Sequence, residues 1–136
     1  MTPLLDYHWQ ALILNVVFYN NGLLSMQIPR AKFNIGQVVK HKHYGFHGVI
    51  FEVDFEYSLD ENWYHEACKA MHSIGQPPID KNQPFYHILT DGSEHESYVS
   101  EQNLEQADTN LPVQHEAIDQ WFTVGSGQYK PRFSIN

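Results

Sequence analysis

The chain has 136 residues, 42% of them apolar and 14% aromatic, which suits one globular domain with a real core rather than a disordered chain. Eight Lys and Arg stand against sixteen Asp and Glu, a formal net charge of −8, which opposes phosphate backbones and anionic membranes unless the cations gather on one face. Cys68 is the only cysteine, so disulfides do not hold the fold, and a reducing compartment, the cytoplasm, is expected.

The longest apolar stretch, Ala11 to Phe18, contains Asn15 and falls far short of the roughly 20 residues that a membrane helix needs. Asp6 replaces the basic start of a secretory signal, and no small-residue cleavage site follows. Asn20-Asn21-Gly22 then breaks the run as a turn does. Residues 1–29 are therefore expected to be an N-terminal extension. Residues 1–25 are either an appended segment or lie upstream of a natural start at Met26; the alternative is a short strand or helix packed on the domain.

From Gly36 the pattern becomes that of strands. Val38 to His43 leads into Tyr44-Gly45-Phe46-His47-Gly48, whose paired glycines signal a turn. Val49, Phe51, Val53 and Phe55 alternate with Ile50, Glu52, Asp54 and Glu56, which predicts a strand with one buried and one largely wet face. On the wet face, Glu52, Asp54 and Glu56 are expected to guard an edge against pairing. Asp60 is a plausible helix N-cap, Trp63, Ala67, Ala70 and Met71 form a helical stripe, and Gly75 with Pro77-Pro78 stops it. Phe85 to Leu89 is the next strand, Asp91-Gly92 a hairpin signal, and Glu96 to Val99 its partner. The tail carries one short amphipathic helix, Glu116 to Phe122, with Ile118, Trp121 and Phe122 as its apolar side. Short strands with one helical insertion predict a mainly β fold, a small, partly open barrel over residues 30–107 with a tail at 108–136.

Two groupings have metal-ligand residue types. His41, His43 and His47 lie in and after a strand, and His65, Cys68 and His72 share one helix face, but neither has the complete ligand set of a structural zinc site. No metal and no cofactor are expected. Catalytic signatures are also missing: His115-Glu116-Ala117-Ile118-Asp119 ends in Asp where a zinc protease needs its second His, and no nucleophile elbow, phosphate loop or dinucleotide motif occurs. An enzyme is not expected. Arg30, Lys32, Lys40 and Lys42 form a candidate phosphate-contact strip, with Lys40 and Lys42 on one strand face and His41 and His43 adding charge when protonated. Against it, residues 33–105 hold 4 Lys and 12 Asp and Glu.

Ile35-Gly36-Gln37-Val38-Val39-Lys40-His41, then Tyr44-Gly45-Phe46, Gly48-Val49-Ile50 and Asp54, resemble the start of the YccV-like, hemimethylated-DNA-binding family, which includes heat-shock proteins of the HspQ type. The resemblance continues through Gln83-Pro84-Phe85-Tyr86-His87-Ile88-Leu89 and Asp91-Gly92-Ser93. It closes with Tyr98-Val99-Ser100-Glu101-Gln102-Asn103-Leu104-Glu105. These blocks span roughly residues 33–106, and His115 to Phe122 is similar to a family extension. The resemblance implies an SH3-like β-barrel without a cofactor. It also implies one of two roles: binding of hemimethylated DNA, or action as adaptor or specificity factor for an ATP-dependent protease in the stress response. For DNA the expected contacts are Lys40, His41, Lys42 and Tyr44, with oligomerisation multiplying them. For a protein partner the expected docking point is Trp121 and Phe122.

Overall fold

The computed structural model describes residues 16–19, 23–26, 30–108 and 111–132, and the chain divides into two units, residues 1–30 and 31–136. In the first unit, β1 (Val16–Tyr19) and β2 (Leu23–Met26) pair antiparallel, with Tyr19 opposite Leu23. Asn20-Asn21-Gly22, expected as a turn, and residues 1–15 lie outside the described residues.

The second unit is mainly β. Its strands β3 (Val38–His41), β4 (His47–Asp54), β5 (Phe85–Thr90), β6 (Glu96–Ser100) and β7 (Leu104–Gln106) form one antiparallel sheet in the order β6-β5-β4-β3-β7. A 3₁₀ turn, Glu101–Asn103, leads from β6 directly into β7 at the opposite edge. Laid flat, four strand spacings would separate those edges by about 19 Å. The step from Ser100 to Leu104 reaches at most about 14 Å. The sheet must therefore curl. Its two edges approach without a recorded pairing, so it is a curled open sheet, and the closure of an SH3-like barrel is not seen among the described residues.

Both faces of the sheet are covered. The inner face holds Phe33, Val39, Ile50, Tyr86, Ile88, Val99 and Leu104. On the outer face Val38, Val49, Phe51 and Leu89 pack against Val113, Ile118 and Phe122 from the tail. Farther along that face, helix α1 (Glu61–Ser73) sets Met71, Ala67 and Cys68 against Phe85 and Tyr98. The helix begins as its sequence requires: the Asp60 carboxylate accepts the Trp63 N–H at 2.8 Å, and Gly75, at φ +76°, follows its C-terminal turn.

Two sequence expectations fail here. β4 is a central strand between β3 and β5, so Glu52, Asp54 and Glu56 guard no edge. A bulge at Phe51 also shifts the ladder, with Ile50 opposite Ile88 but Glu52 opposite His87. Beyond the bulge Val53 joins the inner cluster with Ile50, while Asp54 is buried on the outer face instead of wet. Strict alternation could not reveal an inserted residue.

The expected tail helix is shorter than its apolar pattern: α2 spans Ile118–Trp121, and Phe122 already opens β8 (Phe122–Gly125). β8 pairs with β9 (Gln128–Pro131) around Ser126 and Gly127, at φ 54° and 72°, the paired positive values of a type I′ hairpin turn. This hairpin belongs to the domain. Gly36, at φ +90°, lies so close that an added Cβ would stand 2.4 Å from the Tyr129 carbonyl oxygen. Gly92, at φ +73°, has open space around it. Gly36→Ala is therefore expected to lower stability by about 2–4 kcal/mol, and Gly92→Ala only by about 1–2 kcal/mol. Urea denaturation of both variants checks this. Equal costs would mean that the hairpin does not press on Gly36.

Candidate functional site

The turn after β3 is built around His41. Alternation on β3 buries Val39 and His41 and leaves Lys40 exposed. The chain then turns back, with Gly45 at φ +77° donating its N–H to the His41 carbonyl at 3.0 Å and the His41 N–H reaching the Phe46 carbonyl at 2.8 Å. His41 Nδ1 accepts the main-chain N–H groups of His43 at 3.1 Å and Tyr44 at 3.0 Å. Its ring lies 4.7 Å from Tyr44 and 5.1 Å from Phe46. Lys42 anchors the far side by donating its N–H to the Asn103 carbonyl at 2.9 Å. Lys42, His43 and Tyr44 all project outward, with Tyr44 half exposed.

This geometry revises three expectations. His41 is 4% exposed and holds the turn from beneath rather than offering a contact. Burial, helped by the neighbouring His43, lowers its pKa to about 4, so it adds no charge near neutrality. Lys42 lies beyond the end of β3, so strand alternation does not put it on the face of Lys40. Lys40 stands opposite Glu105 in the β3–β7 register, a local counter-charge to any anion it meets. Arg30 ends the first unit, whereas Lys32 belongs to the second and donates its main-chain N–H to Glu101 at 2.9 Å.

A second cluster, unread in the sequence, sits on the outer face. Asp54 Oδ2 accepts hydrogen bonds from Tyr98 Oη at 3.0 Å and Ser58 Oγ, and pairs with His87 Nε2 at 2.9 Å. Burial alone would raise the Asp54 carboxyl, but the His87 and Ser58 hydrogen bonds and the His87 charge hold it below its ordinary value. Burial likewise pushes the His87 pKa down, and the Asp54 hydrogen bond and charge overcome it, so the imidazole titrates higher than usual. Glu52 completes a group whose ligand atoms lie within 4.8 Å of one another. Two carboxylates and an imidazole suit a borderline divalent cation, although a cation would have to displace the contact between His87 and Asp54. Among the described residues no such gathering includes His41, His43 and His47, or His65, Cys68 and His72. Asp54, His87 and Tyr98 all stand in the blocks that carry the family resemblance, but the bulge that gathers them is hidden from periodicity.

A groove of about 340 Å³ runs beside β6, lined by Tyr44, Phe46, Trp63 and Tyr98 among others. The pair expected to dock a protein is placed differently. Phe122 is 1% exposed and lies in the core, and the Trp121 ring packs 4.9 Å from Phe51. A partner would meet only the remaining face of Trp121.

Comparison with known proteins bears on these surfaces. A family model described as "Hemimethylated DNA-binding protein YccV like" matches residues 31–129. The chain belongs to this family. The match to the YccV-like family takes in α2 and most of the β8–β9 hairpin as well as the sheet, in keeping with the packing of the tail on Val38 and Val49. F-box only protein 21 of Mus musculus is 31% identical over 98 residues, which cover 71% of this chain. The matched stretch is 14% of that protein, so the chain spans only a small part of its relative's length. Among the described residues no helix is long and apolar enough to cross a membrane.

The role of His41 has a pH signature. Its folded pKa of about 4 lies below the ordinary 6.5, so on acidification the unfolded chain takes up the proton first. The stabilisation is complete above pH 6.5 and is lost as the pH falls towards 4. Thermal melts across that range should show a fall in Tm that is smaller in His41→Asn, whose side-chain oxygen can accept the same two N–H groups. His87 acts with the opposite sign, so the difference between wild type and variant isolates His41. Parallel profiles would assign the acid sensitivity to another group.

Proposed function

We propose that this member of the YccV-like family binds duplex DNA, preferring hemimethylated sites, through the turn that carries Lys40, Lys42, His43 and Tyr44. The observation that carries the reading is the exposure of Lys40 near the end of β3 together with Lys42, His43 and Tyr44 on the following turn, which is fixed by His41 and Asn103. Lys40 and Lys42 contact phosphates, Tyr44 supplies an aromatic face, and His41 acts as a positioning residue beneath them. With a net charge of −8, the affinity rests on very few cations, and a homo-oligomer would multiply them.

A protein-binding role is the second reading: an adaptor or specificity factor for an ATP-dependent protease in the cytoplasmic heat-shock response. The acidic balance favours it. So does a cleft of about 670 Å³ lined by Ile35, Leu111 and Val124, all exposed apolar residues. Trp121 and Phe122 contribute to this role mainly by holding the tail in place.

Fluorescence anisotropy with matched unmethylated and hemimethylated duplexes over a salt series tests the DNA reading. Tighter binding to the hemimethylated duplex is expected, with binding lost in the Lys40→Glu, Lys42→Glu double variant while its melt is unchanged. The milder Lys40→Ala, Lys42→Ala double variant should flatten the log–log salt slope by about 2, since each phosphate contact contributes about 0.9. Equal, weak binding to both duplexes that vanishes with salt would overturn the DNA reading and leave the protein-binding one.

A further inference from the structure

The groove beside β6 is not needed for DNA binding at the turn, and its chemistry points to another ligand. Its volume of about 340 Å³ lies within the range of about 300–1,000 Å³ usual for ligand sites. β6 is an edge strand. The Glu101 N–H donates to the Pro84 carbonyl at 2.9 Å, and the register runs on through Val99 opposite Tyr86 and Ser97 opposite Ile88. In an antiparallel ladder the intervening residues, Tyr98 and Ser100, direct their main-chain N–H and C=O groups away from β5. Among the described residues no recorded hydrogen bond meets those groups.

Ser100 supplies an independent sign. It is 2% exposed and lines the groove, and its Oγ is the one buried side-chain polar atom without a hydrogen-bond partner among the described residues. A buried hydroxyl left unsatisfied costs stability, so a donor or acceptor arriving in the groove would recover part of that. The lining includes no Lys or Arg and one carboxylate, Glu96, which disfavours a phosphate backbone. The chain's net charge of −8 likewise disfavours a second copy.

We propose that this groove captures an extended peptide, which adds as a strand to β6 at Tyr98, offers a hydrogen-bond partner to the Ser100 hydroxyl, seats an apolar side chain among Trp63, Phe46 and Met71, and sets a basic side chain against Glu96. Strand addition gives affinity through main-chain hydrogen bonds and specificity through alternate side chains. The peptide site does not rest on the DNA reading, and the two can be separated by variants.

A random heptapeptide library displayed on phage is selected on the full chain, and the enriched peptides are synthesised and measured by anisotropy. The expected peptides carry apolar residues at alternate positions and a Lys or Arg near one end. Glu96→Lys, an exposed change, should invert that preference to Asp or Glu. Ser100→Ala removes the unpartnered hydroxyl with little change in volume and should weaken the selected peptides by about tenfold. Lys40→Glu with Lys42→Glu should leave peptide binding intact, and Glu96→Lys should not weaken duplex binding. The proposal is overturned by failure to enrich any peptide or by peptides indifferent to Glu96→Lys. It is equally overturned by selected peptides that bind Ser100→Ala as tightly as the wild type.

Discussion

The short connection from β6 to β7 constrains everything else in the domain. Strands that are consecutive in sequence but lie at opposite edges of a five-stranded sheet are joined by only Glu101–Asn103. The sheet must curl to let them meet. Curling makes an inside, filled by Ile50, Tyr86 and Ile88, and leaves an outside that needs its own cover. The cover comes from the helical insertion at one end and the tail at the other. The same connection delivers the Asn103 carbonyl to Lys42, so the exposed turn after β3 is anchored by the segment that closes the curl. Tyr86 strengthens that corner, donating to Glu101 at 2.7 Å and accepting the buried Phe33 N–H at 3.1 Å.

The bulge at Phe51 is the second device. It lets β4 present Phe51 to the tail and, one residue later, turn Glu52 and Asp54 to that same outer face. A polar seam results between two apolar patches, with Phe51 and Trp121 on one side and Tyr98 and Phe85 on the other. A carboxylate placed there is tolerable because Tyr98, Ser58 and His87 all aim at it. The pair His87–Asp54 therefore joins helix-side and tail-side packing, which explains a charged group in so apolar a setting.

Charge divides the surface into unlike regions. The turn offers lysines without an acidic residue between Lys40 and Tyr44, whereas the β6 groove offers rings, main chain and one carboxylate. A phosphate backbone and an extended peptide make opposite demands on such surfaces. Membership of a hemimethylated-DNA-binding family speaks for the first, and the Ser100 hydroxyl and the edge of β6, both without a partner among the described residues, speak for the second.

The sequence by itself determined the local elements whose signals are short in range. Asp60 and Gly75 bound the helix, Gly45 makes the turn, Asp91-Gly92 introduces the return to β6, and ordered blocks of residues carry the family. These depend on φ preferences and on hydrogen bonds made within a few residues, so they can be read without knowing the partners. The Ser126-Gly127 hairpin was equally local and is the one such signal left unread. Tertiary structure alone decided which side chains are wet. His41 was open to two readings, packed beside Val39 or touching DNA, until Phe46 and Tyr44 closed around it and settled the first, and Phe122 looked like an amphipathic helix face until it became the start of a strand in the core. Asp54 changed sides because one inserted residue in β4 reversed the alternation. Burial is set by contacts between segments far apart in the chain, and periodicity within one segment carries no record of them.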